Sequence, residues 1–118
     1  MKRICFLLAL ILSPLLSMAD AITDAEIQHL LKFVASTTCK YERNGDLHAG
    51  SEAVKHIQQK YEHFKDKIHS AEDFIAYSAT KSTMSGNKYH VICAGKTPQD
   101  SDQWLLEELK RFRKNNNV

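Results

Sequence analysis

Beyond its first twenty residues the chain has no second long apolar run, so nothing after that point reads as a membrane-spanning helix. It has no excess of charge of one sign either: 16 basic and 14 acidic side chains leave a net charge of +2. That balance gives no electrostatic drive toward nucleic acid, whose binding rests on neutralising phosphates. There is no C-x-x-C pair to suit redox chemistry and no H-x-x-x-H pair to seat a metal on one helical face. His56 and His63 stand seven apart, about 10 Å of helical rise, too far to share an ion. No metal and no cofactor are therefore expected. Internal repeats and linkers long enough to separate domains are also missing.

What is present begins with a leader. Lys2 and Arg3 precede an apolar stretch, Ile4 to Leu16, interrupted only by Ser13 and Pro14. At roughly 13 residues it falls short of the ~20 that span a bilayer. Small residues at Ser17-Met18-Ala19 and Ala19-Asp20-Ala21 fit cleavage after Ala19 or Ala21. Residues 1–21 are thus read as a signal peptide, 22–114 as one globular domain and 115–118 as a frayed tail. The expectation is an exported periplasmic protein, soluble and without stable membrane insertion once the leader is gone. Removing Lys2, Arg3 and Asp20 leaves 14 basic and 13 acidic side chains.

The domain keeps two cysteines, Cys39 and Cys93, and an even pair in an oxidising compartment reads as a disulfide. Closing that loop stabilises the fold by about 4 kcal/mol in the chain-entropy picture. Thr23-Asp24-Ala25-Glu26 forms a capping box before a helix with Ile27, Leu30, Leu31 and Val34 on one face. Thr38 to Arg43 reads as a strand, Asn44-Gly45 as a turn, and Asp46 to Gly50 as irregular. Ser51 is the expected cap of a second helix, with Val54, Ile57, Tyr61 and Phe64 inward and Ala53, His56 and Lys60 beside them. Ser70 caps a third helix, Tyr89 to Cys93 forms a strand, Gly95 to Asp100 a loop, and Asp100 or Ser101 caps the last helix. Placing Cys39 opposite Cys93 sets Tyr41 against Val91 and Arg43 against Tyr89, each pair on one face. The fold class expected is α+β: about four helices packed on a short two-stranded antiparallel sheet.

Motifs of known chemistry fail on context. Ser78-Ala79-Thr80-Lys81, Ser85-Gly86-Asn87 and Lys96-Thr97 echo penicillin-recognising enzymes, but the first two lie seven residues apart and Pro98 replaces the third glycine. Gly95-Lys96-Thr97 lacks the earlier glycine of a P-loop, because His90 stands there. His56 with Ser82 or Ser85 is the one nucleophile–base pair folding would have to assemble, and it makes a small hydrolase the alternative from another class.

Several stretches occur together in order: Arg43-Asn44-Gly45, Glu52-Ala53-x-x-His56-Ile57-x-x-Lys60, Ala71-Glu72-Asp73-Phe74-Ile75, and Ala79-x-x-Ser82-x-x-Ser85-Gly86-x-x-Tyr89-x-Val91. With Trp104-Leu105-x-x-Glu108-Leu109, this set resembles a family of short bacterial exported proteins of unknown function that includes YfeK. The resemblance implies a bacterial, periplasmic, single-domain protein and no activity. Its polar members, Arg43, Asn44, His56, Lys60, Ser82 and Ser85, form a cationic, donor-rich set suited to a carboxylate, phosphate or sugar. The competing reading is an internal network, with Arg43 on Tyr89 and Lys60 paired with Glu52 or Asp46. The expected function is a non-enzymatic binding or interaction protein with no catalytic residue, its partner a periplasmic protein or an anionic envelope component. The alternative within binding is an inhibitor or immunity-type protein presenting Asp46 to Gly50 as a protruding loop.

Overall fold

A helix opens the chain and runs without a break from Ile4 to Ser36 (α1) in the computed structural model, which describes residues 4–116 and their side chains from Met18. Lys2 and Arg3 of the expected leader, and Asn117 and Val118 of the expected tail, lie outside the described residues. The break expected at Thr23 does not occur. Helical turns on both sides of Thr23 supply its backbone partners, so no capping box is needed there. Ile27, Leu30, Leu31 and Val34 are all buried, as their spacing requires.

The order that follows is β1 (Lys40–Arg43), β2 (Asp46–Ala49), α2 (Gly50–His63), a single 3-10 turn at Lys65–Lys67, α3 (Ala71–Ser78), β3 (His90–Ile92), β4 (Gln99–Asp100) and α4 (Ser101–Asn116). The α+β class with four helices holds. The sheet is larger than expected: four antiparallel strands in the order β2-β1-β3-β4, not two. Two local causes account for the difference. Asn44 and Gly45 both take positive φ, 52° and 88°, the geometry of a tight two-residue hairpin turn. The chain therefore folds straight back, and Asp46–Ala49 pairs with β1 instead of wandering. On the other side Gln99 and Asp100 pair with Val91 and His90, closing the expected loop with a short strand.

The central register is the one the cysteines demand. Tyr41 lies opposite Val91, and Cys39 is bonded to Cys93 across a Cα separation of 4.4 Å. With period two, Tyr41 and Val91 enter the core, while Glu42 and His90 point to the opposite face and meet at 2.6 Å.

The helices cover the inner face of this sheet. Phe74, Ile75, Leu105 and Leu109 are almost fully buried, and Trp104 packs on Phe33 and Tyr41. Ser70 caps α3 as expected, accepting the N–H of Asp73 at 3.0 Å. Ser51 does not cap α2. The helix starts one residue earlier, at Gly50, with only the Glu52 carboxylate reaching back to the Ala49 N–H at 3.4 Å. Gly50 lies against the end of α1, where a Cβ would stand 2.2 Å from the Val34 carbonyl oxygen. A third contact fixes α4: Arg113 bonds Glu26 of α1 (2.8 and 3.0 Å) and Glu72 of α3 (2.6 and 2.9 Å). The helix itself reaches Asn116, past the start of the expected frayed tail.

Candidate functional site

Arg43 ends β1 on the same face as Tyr41, which aims it beneath α2. On α2, Glu52, His56 and Lys60 follow at steps of four and so form one row. The sheet, Glu52 and His56 of this row, and Lys55 and Gln59 beside them bound a cleft of about 270 Å³. Its wall includes Tyr41, Arg43, His48, Glu52, His56 and Tyr89.

At one end the polar groups are close. Arg43 Nη1 lies 2.9 Å from Nδ1 and 2.8 Å from Nε2 of His56, whose Nε2 is also 3.1 Å from the Tyr89 hydroxyl. A guanidinium can only donate, so the ring nitrogen that receives it carries no proton. An Nδ1 acceptor with an Nε2–H directed at Tyr89 satisfies all three groups. Electrostatics favour the same neutral ring. Partial burial holds the His56 pKa below its usual value, and the positive charges of Arg43 and Lys60 lower it further, with His48 adding to the effect. Lys60 is likewise lowered, first by burial and then by Arg43. Its Nζ donates to the Lys81 carbonyl at 2.6 Å and to the Tyr89 hydroxyl at 3.3 Å, and sits 5.1 Å from the Tyr89 ring centre. Tyr89 has a raised pKa, chiefly because it is buried. Among the described residues neither Arg43 nor Lys60 forms an ion pair with a carboxylate. The pairing of Lys60 with Glu52 or Asp46 does not form.

The remaining three candidates gather elsewhere. Ser85 Oγ donates to Asn44 Oδ1 at 2.7 Å, Asn87 Nδ2 donates to the same oxygen at 3.2 Å, and the Ser85 N–H reaches Ser82 Oγ at 3.3 Å. This knot ties the hairpin tip to the turn before β3. Its hydroxyls are occupied in holding backbone and Asn44, and His56 makes no hydrogen bond to either serine. Asn44, Ser82 and Ser85 thus fix the end of β1, from which Arg43 projects. No cluster of three or more metal-ligating side chains occurs among the described residues.

Residues 21–113 match the model of a family described as "Family of unknown function (DUF5329)". The chain belongs to that family. It is also 33% identical over 90 residues to the uncharacterized protein YfeK of Salmonella typhimurium strain LT2, covering 75% of each chain. No solved structure matches.

Membership in DUF5329 brings no chemistry with it, so the chemistry must come from the cleft. Several of its residues, His48 and Glu52 among them, were not candidates in the sequence. His48 joins because β2 pairs back on β1 and sets it opposite Tyr41. Its Nε2 is closed off from water and has no hydrogen-bond partner among the described residues. Glu52 enters the cleft one helical turn before His56, and that four-residue step was the available clue.

Proposed function

We propose that this DUF5329 protein is an exported, non-enzymatic binding module whose cleft between α2 and the sheet receives an anionic group. The observation that carries the reading is the convergence of Arg43, His56 and Lys60 on Tyr89, with no carboxylate ion-paired to either cation among the described residues. Half-buried cations held this way attract a carboxylate or phosphate, since charge-assisted hydrogen bonds are the strong ones. Export is supported by the leader-like N-terminus and by the Cys39–Cys93 bond, which persists in oxidising compartments. Among the described residues no helix is long and apolar enough to cross a membrane. N-terminal sequencing of the exported protein should begin at Asp20 or Ile22, and an intact Met1 would overturn the leader.

The anion test is a titration with inorganic phosphate and acetate, followed through the His56 and Tyr89 ring signals by NMR. Saturable shifts in the wild type that weaken in Arg43→Met support the reading. No response to either anion removes it.

One observation favours an interaction protein as a second reading. Leu47 is 60% exposed on the edge strand β2, within the stretch expected to protrude. The hydrolase reading gains nothing, because both serines are engaged in the Asn44 knot.

A further inference from the structure

The anion reading leaves one cleft residue unexplained. Glu52 lines the same cavity as Arg43 and His56, and a ligand that was only an anion would be repelled by it. The carboxylate makes one long bond, 3.4 Å to the Ala49 N–H, and no ion pair among the described residues. The cleft therefore holds two cations, Arg43 on the strand and Lys55 on the helix, and one anion, Glu52, none of them ion-paired among the described residues. Along α2 the step from Glu52 to His56 is about 6 Å. Between those charges the floor is formed by Tyr41, Ala53 and Ile57, which are 3%, 8% and 1% exposed.

We infer that the cleft binds a free α-amino acid, its carboxylate on Arg43 and its ammonium on Glu52. This rests on the anion-binding reading and names its ligand class. A zwitterion pairs with Arg43 and Glu52 at once, where a simple anion or a simple amine would pair with only one of them. Size sets the upper limit: about 270 Å³ is just below the roughly 300–1,000 Å³ of sites for drug-sized ligands. A longer peptide would carry only one of its two charged ends into the cleft.

Calorimetric titrations with L-leucine, L-phenylalanine, 3-phenylpropionate, 2-phenylethylamine and inorganic phosphate test the assignment. The amino acids should bind most tightly, 3-phenylpropionate about tenfold more weakly for want of its ammonium, and 2-phenylethylamine not at all. Glu52→Gln keeps an oxygen for the Ala49 N–H, and an unchanged thermal midpoint will show that the fold is intact. It should bring L-phenylalanine down to the affinity of 3-phenylpropionate and leave the latter unchanged. If 3-phenylpropionate equals L-phenylalanine, or Glu52→Gln changes neither, the amino-acid assignment is overturned while the anion site stands. If none of the five compounds binds, both fall together.

Discussion

Gly50 at the start of α2 meets the carbonyl oxygen of Val34 near the end of α1 with no room for a side chain between them. A Cβ there would lie 2.2 Å from that oxygen and 2.9 Å from Cγ2 of Thr37. The obstacle is backbone, which cannot swing aside as a side chain can. Gly50→Ala should therefore destabilise the protein by about 1–3 kcal/mol. Urea denaturation would measure it, and an unchanged midpoint would mean that α1 and α2 can separate freely.

The Arg43–His56 contact makes a statement about pH. The folded His56 pKa is depressed below 6.5 by burial and by neighbouring cations. As pH falls through that value, the unfolded chain takes up a proton that the folded ring resists, so stability declines until the folded pKa is passed. Replacing Arg43 by Met should raise the His56 titration midpoint toward the ordinary imidazole value, as read from ring-proton shifts. No movement would show that Arg43 is not the charge felt by His56.

Acid acts on the outer sheet face through a different group. The Gly45 N–H and His90 bond the Glu42 carboxylate and hold its pKa below the usual value. A depressed carboxylate adds stability above its unfolded pKa, and that stability is lost as pH falls through the folded one. The acid transition of Glu42→Gln should accordingly be shallower than that of the wild type in circular dichroism melts taken below about pH 5. Parallel curves would make the contact neutral.

Cys39–Cys93 spans 54 residues of sequence and closes the sheet at the end away from the cleft's hairpin. Its reduction, or the Cys39→Ser/Cys93→Ser pair, should cost about 2–5 kcal/mol. Alkylation of the unreduced protein lacking residues 1–21 should find no free thiol, and two modified cysteines would contradict the bond.

Arg113 joins three helices by bonding both Glu26 and Glu72. Arg113→Met should destabilise by about 1–3 kcal/mol, since the mostly buried Glu26 would be left unpaired. In a double-mutant cycle with Glu26→Gln the two losses should be less than additive. Full additivity would mean that the pair is not coupled.

How much of this was legible in the chain differs residue by residue. Ile27, Leu30 and Val34 declared a buried helical face because a 3.6-residue period leaves its mark on local sequence. Tyr41 and Val91 could be matched across fifty residues only because two cysteines fixed the register between their strands. Asn44-Gly45 was read as a turn, yet its consequence was missed. Asp46-Leu47-His48-Ala49 has no alternation strong enough to announce a strand, and the turn's positive φ values alone return it to β1. Thr23 carried a capping signal that the continuous α1 does not use.

The site divides along the same line. Arg43, His56 and Lys60 were recognisable as a donor-rich set, and helical spacing put the last two on one row. The other three candidates, Asn44, Ser82 and Ser85, belong instead to the knot that holds the hairpin, a distinction set by which face each turn presents. The sequence by itself determined the helical stripes, the paired cysteines and the register they impose, because these follow from short periods and one covalent bond. Tertiary structure alone decided that Glu52 and His48 share a cleft with Arg43, and that Arg113 clamps α4 to Glu26 and Glu72. Those contacts join residues far apart in the chain, and no local pattern encodes where a distant backbone will bring a charge to rest.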